Sequence, residues 1–181
     1  MLLPLRRHPD SPNAAATDVT VEVARPAAGR LLLTWIVTGA ITAIRIPPPE
    51  TPARADELWR HTCFEAFVRA PPGSAYYEFN FSPSTCWAAY RFDFYRSGMR
   101  VADEIGAPLI EAQSRADGWV LQAALELDRL SALPCDAPLH LGLSAVIEDT
   151  NGRLSYWALA HPPGKPDFHH ADGFAHDLLP A

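Results

Sequence analysis

Short segments in which apolar and polar residues alternate run through most of this 181-residue chain. A period of two is typical of β-strands with one buried face, and no stretch sustains the 3.6-residue period of an amphipathic helix. The 18 prolines and 10 glycines separate these segments, as turns separate short strands. The pattern therefore predicts an all-β protein built as an antiparallel β-sandwich of about nine or ten strands, with a closed barrel as the alternative.

The predicted strands lie between residues 17 and 160. The segment 47–58 is rich in proline, which cannot donate to a strand ladder, and is expected to leave the sheet as a loop. The tail from His161 is also expected to be loop. We predict one domain over residues 17–178, preceded by an N-terminal extension of residues 1–16. The predicted strands are Thr17–Val23, Leu31–Val37, 41–46, Thr62–Arg69, Ala75–Ser82, Cys86–Tyr95, Pro108–Ala116, Trp119–Leu127, Leu139–Glu148 and Leu154–Ala160.

Charge and hydropathy exclude two classes of partner. Asp and Glu outnumber Lys and Arg by 21 to 15, and the formal net charge is −6, so nucleic acid is not an expected partner. The longest apolar run, Leu31–Val37, is far shorter than the roughly 20 residues that cross a bilayer, so no membrane partner is expected. Residues 1–10 lack the apolar stretch of a secretory signal, and we expect a cytoplasmic protein.

The middle strands can be sorted into two faces because strand side chains alternate. The sides opposite the predicted core carry large aromatic groups among carboxylates, an arginine and an amide. Such a mixture is typical of a concave site that binds a small polar ring compound, although the loop 47–58 could instead cover an ordinary amphipathic surface. The candidate ligand-binding residues are Trp59, Glu65, Asn80, Trp87, Arg91 and Trp157. The predicted core sets include Phe64/Ala66/Val68, Tyr77/Phe79/Phe81, Ala88/Tyr90/Phe92/Phe94 and Leu141/Leu143/Ala145/Ile147.

Several of these segments carry a family resemblance. The segments Asp56–Val68, Tyr76–Pro83 and Trp87–Phe92, with Tyr156–Leu159 before His161, resemble the DOMON-like superfamily. That superfamily includes family 9 carbohydrate-binding modules and haem-binding cytochrome domains. The likeness covers residues 17–178, and it implies a jelly-roll- or immunoglobulin-like sandwich that binds a small ligand and is not an enzyme.

The carbohydrate-binding branch of this superfamily assigns roles to particular residues. Its two tryptophans sandwich a terminal sugar, while a glutamate and an arginine bind the hydroxyls. By spacing, Trp59 and Glu65 resemble the first tryptophan and the glutamate. By strand position, Arg91 and Trp157 resemble the arginine and the second tryptophan. The resemblance therefore implies a saccharide ligand, whereas Trp59 could also simply close one end of the sandwich.

Other chemistry remains open. No cofactor is expected, but haem could be held by Met99 with His61 or His161. The tail gathers histidines and aspartates that could bind a divalent metal or could make local backbone bonds. An interaction domain for a partner chain is a third possibility. The metal candidates are His161, His169, His170 and Asp172.

The cysteines and two glutamates are further candidates for chemistry. The odd number of cysteines, Cys63, Cys86 and Cys135, and the lack of a C-x-x-C spacing predict ordinary reduced thiols. Glu65 and Glu78 are predicted to share a face, but nothing in the sequence marks them as a catalytic acid and base.

Overall fold

The computed structural model describes residues 1–11, 15–134 and 136–180. Within these residues, twelve strands form one antiparallel sheet in the order β7-β6-β5-β4-β10-β11-β1-β2-β3-β9-β8, and β12 pairs with β10. The strands are β1 (Leu2–Arg7), β2 (Ala16–Ala27), β3 (Arg30–Gly39), β4 (Cys63–Arg69), β5 (Tyr76–Phe81), β6 (Trp87–Phe92), β7 (Arg100–Val101), β8 (Leu109–Arg115), β9 (Gly118–Glu126), β10 (Leu139–Glu148), β11 (Leu154–Ala158) and β12 (His176–Leu178).

Helix is nearly absent from the described residues. Three 3-10 helices of three residues each occur, at Ile41–Ala43, Leu58–Arg60 and Ala171–Gly173. In this part of the chain, no helix is long and apolar enough to span a bilayer. The prediction of an all-β antiparallel protein is therefore confirmed.

The sheet curls so that its two halves share one apolar core. The ring of Phe64 on β4 stacks on Trp119 of β9 with centroids 5.5 Å apart. Trp35 of β3 lies 5.7 Å from Phe64 and 5.6 Å from Phe81 of β5. All four side chains are buried, and burying each such ring contributes roughly 1.5–3 kcal/mol to stability. These contacts of β4 and β5 with β3 and β9 therefore stabilise the curl.

A single path of paired strands runs through this curl because β1 has two partners. Leu2–Leu5 pair with β2, while Arg6 and Arg7 pair with β11. Residues 1–16 were predicted to be an extension, but they supply this strand. The sequence of β1 runs through four apolar residues, Leu2–Leu5, to Arg6 and Arg7, so the alternation that marks a strand is missing there. The jelly-roll strand order stays a prediction.

Two other segments differ from the sequence prediction. Residues 41–46 were expected to extend the sheet, yet Ile41–Ala43 form a 3-10 helix and Ile44 makes only an isolated bridge to Asp149. The tail from His161 contains a short strand, β12, which pairs with Leu139–Leu141 of β10. A three-residue strand is too short to show a period, which explains why the sequence did not reveal it.

The outer face of the sheet, opposite the shared core, carries a second apolar cluster. Its members come from β4, β5 and β6 and from the C-terminal loop. Because this cluster stands apart from the main core, it forms a separate platform on which the loop packs. The cluster comprises Phe67, Tyr76, Ala88, Tyr90, Phe92 and Phe174, with Leu58, Trp59 and Phe168 packed against it.

Candidate functional site

A cleft of about 510 Å³ opens on this outer face. Its floor is formed by β4, β5 and β10, and its walls are formed by the Leu58–Arg60 helix, the loop after β6 and the C-terminal loop. The volume lies within the range of about 300–1,000 Å³ that is usual for small-molecule sites. The lining residues are Trp59, Arg60, Glu65, Glu78, Phe92, Arg96, Met99, Val146, Leu154, Tyr156, Pro166, Phe168 and His169.

Glu65 lies in the floor between two neighbouring strands. It is directly opposite Asn80 on β5 and Ser144 on β10, so the three side chains share one face. The side chain is almost fully buried, with 3% exposure, and Ser144 Oγ donates to it over 3.5 Å. Burial raises the pKa of Glu65 well above its usual value, and the nearby Glu78 carboxylate raises it further.

Glu78 is the second carboxyl group in the floor. Its Oε1 accepts a 2.8 Å hydrogen bond from Asn80 Nδ2, and its Oε2 lies 3.7 Å from Nε2 of His169. Burial raises the pKa of Glu78 to about 7, although the Asn80 bond and the Arg96 charge act in the opposite direction. Both carboxyl groups therefore retain protons to a higher pH than exposed glutamates do.

His169 brings the C-terminal loop onto the floor. Its Nδ1 lies 2.8 Å from the Tyr76 hydroxyl, which itself accepts a hydrogen bond from the Arg96 backbone N–H at 3.2 Å. Burial, with the Arg96 charge, lowers the pKa of His169 to about 4. The ring is thus neutral at pH 7, and if Nδ1 accepts from Tyr76, its Nε2–H points towards Glu78.

Each arginine of the cleft is paired with a carboxylate outside the floor. Arg60 Nη2 lies 2.6 Å from Glu57 Oε1. Arg96 contacts Asp167 Oδ1 through Nη2 at 2.7 Å and through Nε at 3.2 Å. Both arginines therefore sit at the rim with their charge already balanced.

Aromatic side chains form much of the walls. Phe92 stacks on Tyr76 with centroids 4.8 Å apart and an interplanar angle of 5°. Trp59 packs edge-on against Tyr90 at 6.1 Å, and Phe168 lies 6.2 Å from Tyr156. Such rings can cover the apolar face of a bound ring while the floor binds its polar groups.

The structure brings together only part of the predicted site. Trp59 and Glu65 both line the cleft. Asn80 is completely buried and donates a hydrogen bond to Glu78, which lies two residues before it on the same face of β5. The other three candidates point away from the cleft. Trp87 and Trp157 belong to the shared core, and Arg91 lies over the Tyr77 ring at 5.8 Å.

Trp87 and Arg91 lie on the face opposite to the predicted one because of the way β6 pairs with β5. The turn after β5 places Trp87 directly opposite Phe81 and Arg91 opposite Tyr77. Because directly opposite residues share a face, and Phe81 is in the core, Trp87 must be in the core too. The prediction that Phe92 belongs to the core and Trp87 to the ligand side is therefore wrong.

The same argument applies to the hairpin between β10 and β11. Trp157 is opposite the core residue Ala145, and Tyr156 is opposite Val146 of the cleft. Tyr156, not Trp157, therefore faces the ligand side. Strands β10 and β11 form a hairpin across Asp149–Gly152, and counting residues across it would have identified Tyr156 from the sequence.

The remaining cleft residues had no usable signal as ligand groups. Arg96 lies in a loop, and Phe168 and His169 lie in the C-terminal loop, where no period relates a residue to a face. Glu78 was predicted to share the face of Glu65 but was not among the candidate ligand-binding residues. Its burial beside Glu65 becomes visible only once β4 and β5 are paired.

Two of the proposed metal ligands, His161 and His170, make a hydrogen bond to the backbone with one ring nitrogen. His161 Nε2 lies 2.8 Å from the Arg6 carbonyl oxygen, and His170 Nδ1 accepts from the Asp172 backbone N–H at 3.3 Å. Among residues 1–11, 15–134 and 136–180, no group of three or more His, Cys, Asp and Glu side chains is placed to hold a metal ion. His169 is the one of the four candidates that lines the cleft.

The haem candidates and the cysteines are placed as follows. Met99 lines the cleft, whereas His61 Nδ1 lies 2.8 Å from Glu148 Oε2 outside it. Haem binding stays a prediction. Cys63 and Cys86 are buried free thiols, and burial raises the pKa of Cys63. Cys135 lies outside the described residues.

Comparison with known proteins shows the fold and nothing finer. No protein-family model and no curated protein matches the chain. A candidate carbohydrate-binding protein from Bacteroides uniformis ATCC 8492 superposes with a TM-score of 0.68 at 14% identity, covering 95% of this chain and 83% of the other. A family 9 carbohydrate-binding module from Caldicellulosiruptor kristjanssonii, in complex with cellotriose, gives 0.52 at 11% identity, covering 91% and 74%. The chain therefore has a fold similar to that of family 9 carbohydrate-binding modules.

Proposed function

We propose that the protein is a non-catalytic binding module for a saccharide, and that the ligand occupies the cleft on the outer face of β4, β5 and β10. The observation that carries the proposal is the combination of aromatic walls and a buried carboxyl floor in one cleft of about 510 Å³. The similarity of fold to carbohydrate-binding modules supports it. Membership of the DOMON-like superfamily and a cytoplasmic location are parts of the same proposal.

The walls and the floor have different roles in this proposal. Trp59 and Phe168 offer ring surfaces for the apolar C–H face of a sugar, which gains affinity by removing that face from water. Glu65 and Glu78 accept hydrogen bonds from hydroxyl groups when ionised and can also donate one when protonated. Hydrogen bonds of this kind fix the orientation of the sugar.

A thermal-shift screen against mono- and oligosaccharides tests the proposal, with titration calorimetry of each hit. A ligand that binds only the folded protein at 100 times its Kd stabilises it by about 2.7 kcal/mol, which raises the melting temperature. Trp59→Ala and Glu65→Gln should weaken binding at least tenfold. Leu109→Ala is the control, because Leu109 is exposed on β8 at the far end of the strand order.

Two results would contradict the proposal. One is a melting temperature that no saccharide of the panel changes. The other is binding that Trp59→Ala and Glu65→Gln leave at the strength of the Leu109→Ala control, which would place the ligand elsewhere.

A further inference from the structure

The charges around the cleft do not balance at its floor. The two arginines that line the cleft are each paired, Arg60 with Glu57 and Arg96 with Asp167. Glu65 and Glu78 are the remaining ionisable acids of the lining. Among the described residues, neither is within 4.0 Å of an arginine or lysine nitrogen, so the floor holds two carboxyl groups without a paired cation.

Burial makes this imbalance costly. Glu65 and Glu78 are 3% and 5% exposed, so water cannot screen them as it screens surface acids. His169 Nε2 is 3.7 Å from Glu78, but its ring is neutral at pH 7 because burial lowers its pKa to about 4. In the free protein, protons compensate for the missing cation, as the raised pKa values of both acids indicate.

The hydrogen bonds inside the protein leave acceptor capacity in the floor. Glu78 Oε1 receives Asn80 Nδ2 at 2.8 Å, and Glu65 receives only the long bond from Ser144 Oγ at 3.5 Å. Each carboxylate has about four lone-pair sites. A ligand group that donates several hydrogen bonds and carries a positive charge would satisfy both the acceptor capacity and the charge.

The geometry points to an ammonium group on the ligand, held by Glu65 and Glu78 at the floor of the cleft, so that the saccharide is an amino sugar. This inference rests on the proposed function, since it names the class of saccharide. An ammonium supplies three donors and one positive charge in a compact group. Each charge-assisted hydrogen bond is shorter and stronger than a neutral one.

The charged and titratable groups around Glu65 and Glu78 determine which protons are released when a cation binds. Arg96 faces the pair from the rim, His169 and Tyr76 from the loop and β5, Tyr90 from β6, and Cys63 from β4. Near neutral pH the histidine is neutral, and the two tyrosines and the thiol are protonated because burial raises their pKa values. Binding of a cation should therefore release protons from Glu65 and Glu78 and from no other neighbour.

Calorimetry with three sugars at pH 7 tests the inference. D-glucosamine carries the ammonium, while D-glucose and N-acetyl-D-glucosamine have the same ring without the charge. We expect glucosamine to bind at least about tenfold more tightly than either neutral sugar, the increment of one hydrogen bond to a charged group. Repeating the titration in buffers of different ionisation enthalpy should show proton release for glucosamine alone.

Variants localise the effect. E78Q and, separately, E65Q should reduce the preference for glucosamine to about threefold or less, because each removes one carboxyl group that would ionise against the ammonium. E111Q is the matched control, since Glu111 is an exposed acid on β8, and it should keep the full preference. Two independent floor variants and the unmodified protein all report, so one variant that fails to fold does not decide the result.

The outcomes separate this inference from the proposed function. If neutral sugars bind as tightly as glucosamine, or if E78Q and E65Q both retain the preference, the ammonium site is wrong while saccharide binding stands. If none of the three sugars and no member of the wider panel binds, both proposals fail.

Discussion

The hydroxyl of Tyr76 on β5 lies 2.8 Å from Nδ1 of His169, and this contact joins the C-terminal loop to the sheet. The same hydroxyl accepts a hydrogen bond from the Arg96 backbone at 3.2 Å. One oxygen atom thus joins the sheet to two loops that form parts of the cleft wall. The shape of the cleft depends on this group.

Tyr76→Phe should lower the free energy of unfolding by about 1–2 kcal/mol, because it leaves His169 Nδ1 and the Arg96 N–H without this partner in a partly buried place. Urea denaturation measures this change. Tyr156→Phe is the matched control, since the Tyr156 hydroxyl faces the same cleft and makes no hydrogen bond within the described residues. Equal losses in the two variants would contradict the role of the Tyr76 hydroxyl.

Stability should fall as the pH rises from about 6.5 to 8. The folded protein holds the Glu78 proton with a pKa of about 7, against an ordinary value of 4.5. It therefore binds more protons than the unfolded chain in this range, and its advantage is lost as Glu78 ionises. The expected loss is roughly 1 kcal/mol, measured by urea denaturation at each pH.

The pH range is chosen because His169 opposes Glu78 in more acidic solution. Its lowered pKa makes the unfolded chain bind more protons between about pH 4 and 6.5, so this histidine adds stability as the pH rises there. Glu78→Gln should reduce the slope of the profile between pH 6.5 and 8, and the slope that remains comes from Glu65, whose pKa is also raised by burial. A profile of the same slope in this variant would assign the effect to another group.

Tryptophan fluorescence should report the ligand through Trp59 alone. Trp35, Trp87, Trp119 and Trp157 are buried in the shared core, whereas Trp59 lines the cleft. A saccharide that changes the emission of the wild type should leave Trp59→Phe unchanged. Trp157→Phe should keep the response, because that indole is on the opposite face of the sheet. A response that survives in Trp59→Phe would argue against contact between Trp59 and the ligand.

Gly39→Ala should destabilise the protein by about 1–3 kcal/mol. Gly39 has φ of 127°, a conformation that L-residues rarely adopt. A Cβ atom there would lie 2.7 Å from the Thr17 backbone nitrogen and closer still to the Ala15 carbonyl oxygen. Gly106→Ala is the control, since a Cβ there meets nothing within 4 Å, and it should change the stability by at most about 0.5 kcal/mol. Thermal or urea unfolding of both variants checks the difference.

The alternation of residues predicts most of the sheet, but not which face of each strand is buried. On β4, β5 and β10 the polar residues Glu65, Glu78 and Ser144 mark the outer face. On β6 Trp87 shares its alternating set with Arg91, whereas Phe92 belongs to the other set, so the polar residue favours the wrong face for Trp87. Only the pairing across the preceding turn decides between them, because it fixes Trp87 opposite the core residue Phe81.

The loops that form the cleft walls are beyond such reasoning. Arg96 and Phe168 follow no period, and their positions depend on contacts far away in the sequence, such as the Arg96–Asp167 ion pair. The family resemblance identified two cleft residues, Trp59 and Glu65, by their spacing around the start of β4. The resemblance placed Arg91 and Trp157 by strand position only, and strand position does not show which face of a strand is buried.

The double pairing of β1 gives these six residues an influence out of proportion to their length. Without them, β2 and β11 would each present a row of unsatisfied backbone donors and acceptors to solvent. A strand of a neighbouring molecule can pair with such an unpaired edge. Displacement of β1 would therefore expose two unpaired strand edges at once, and we would expect the molecules to associate through them.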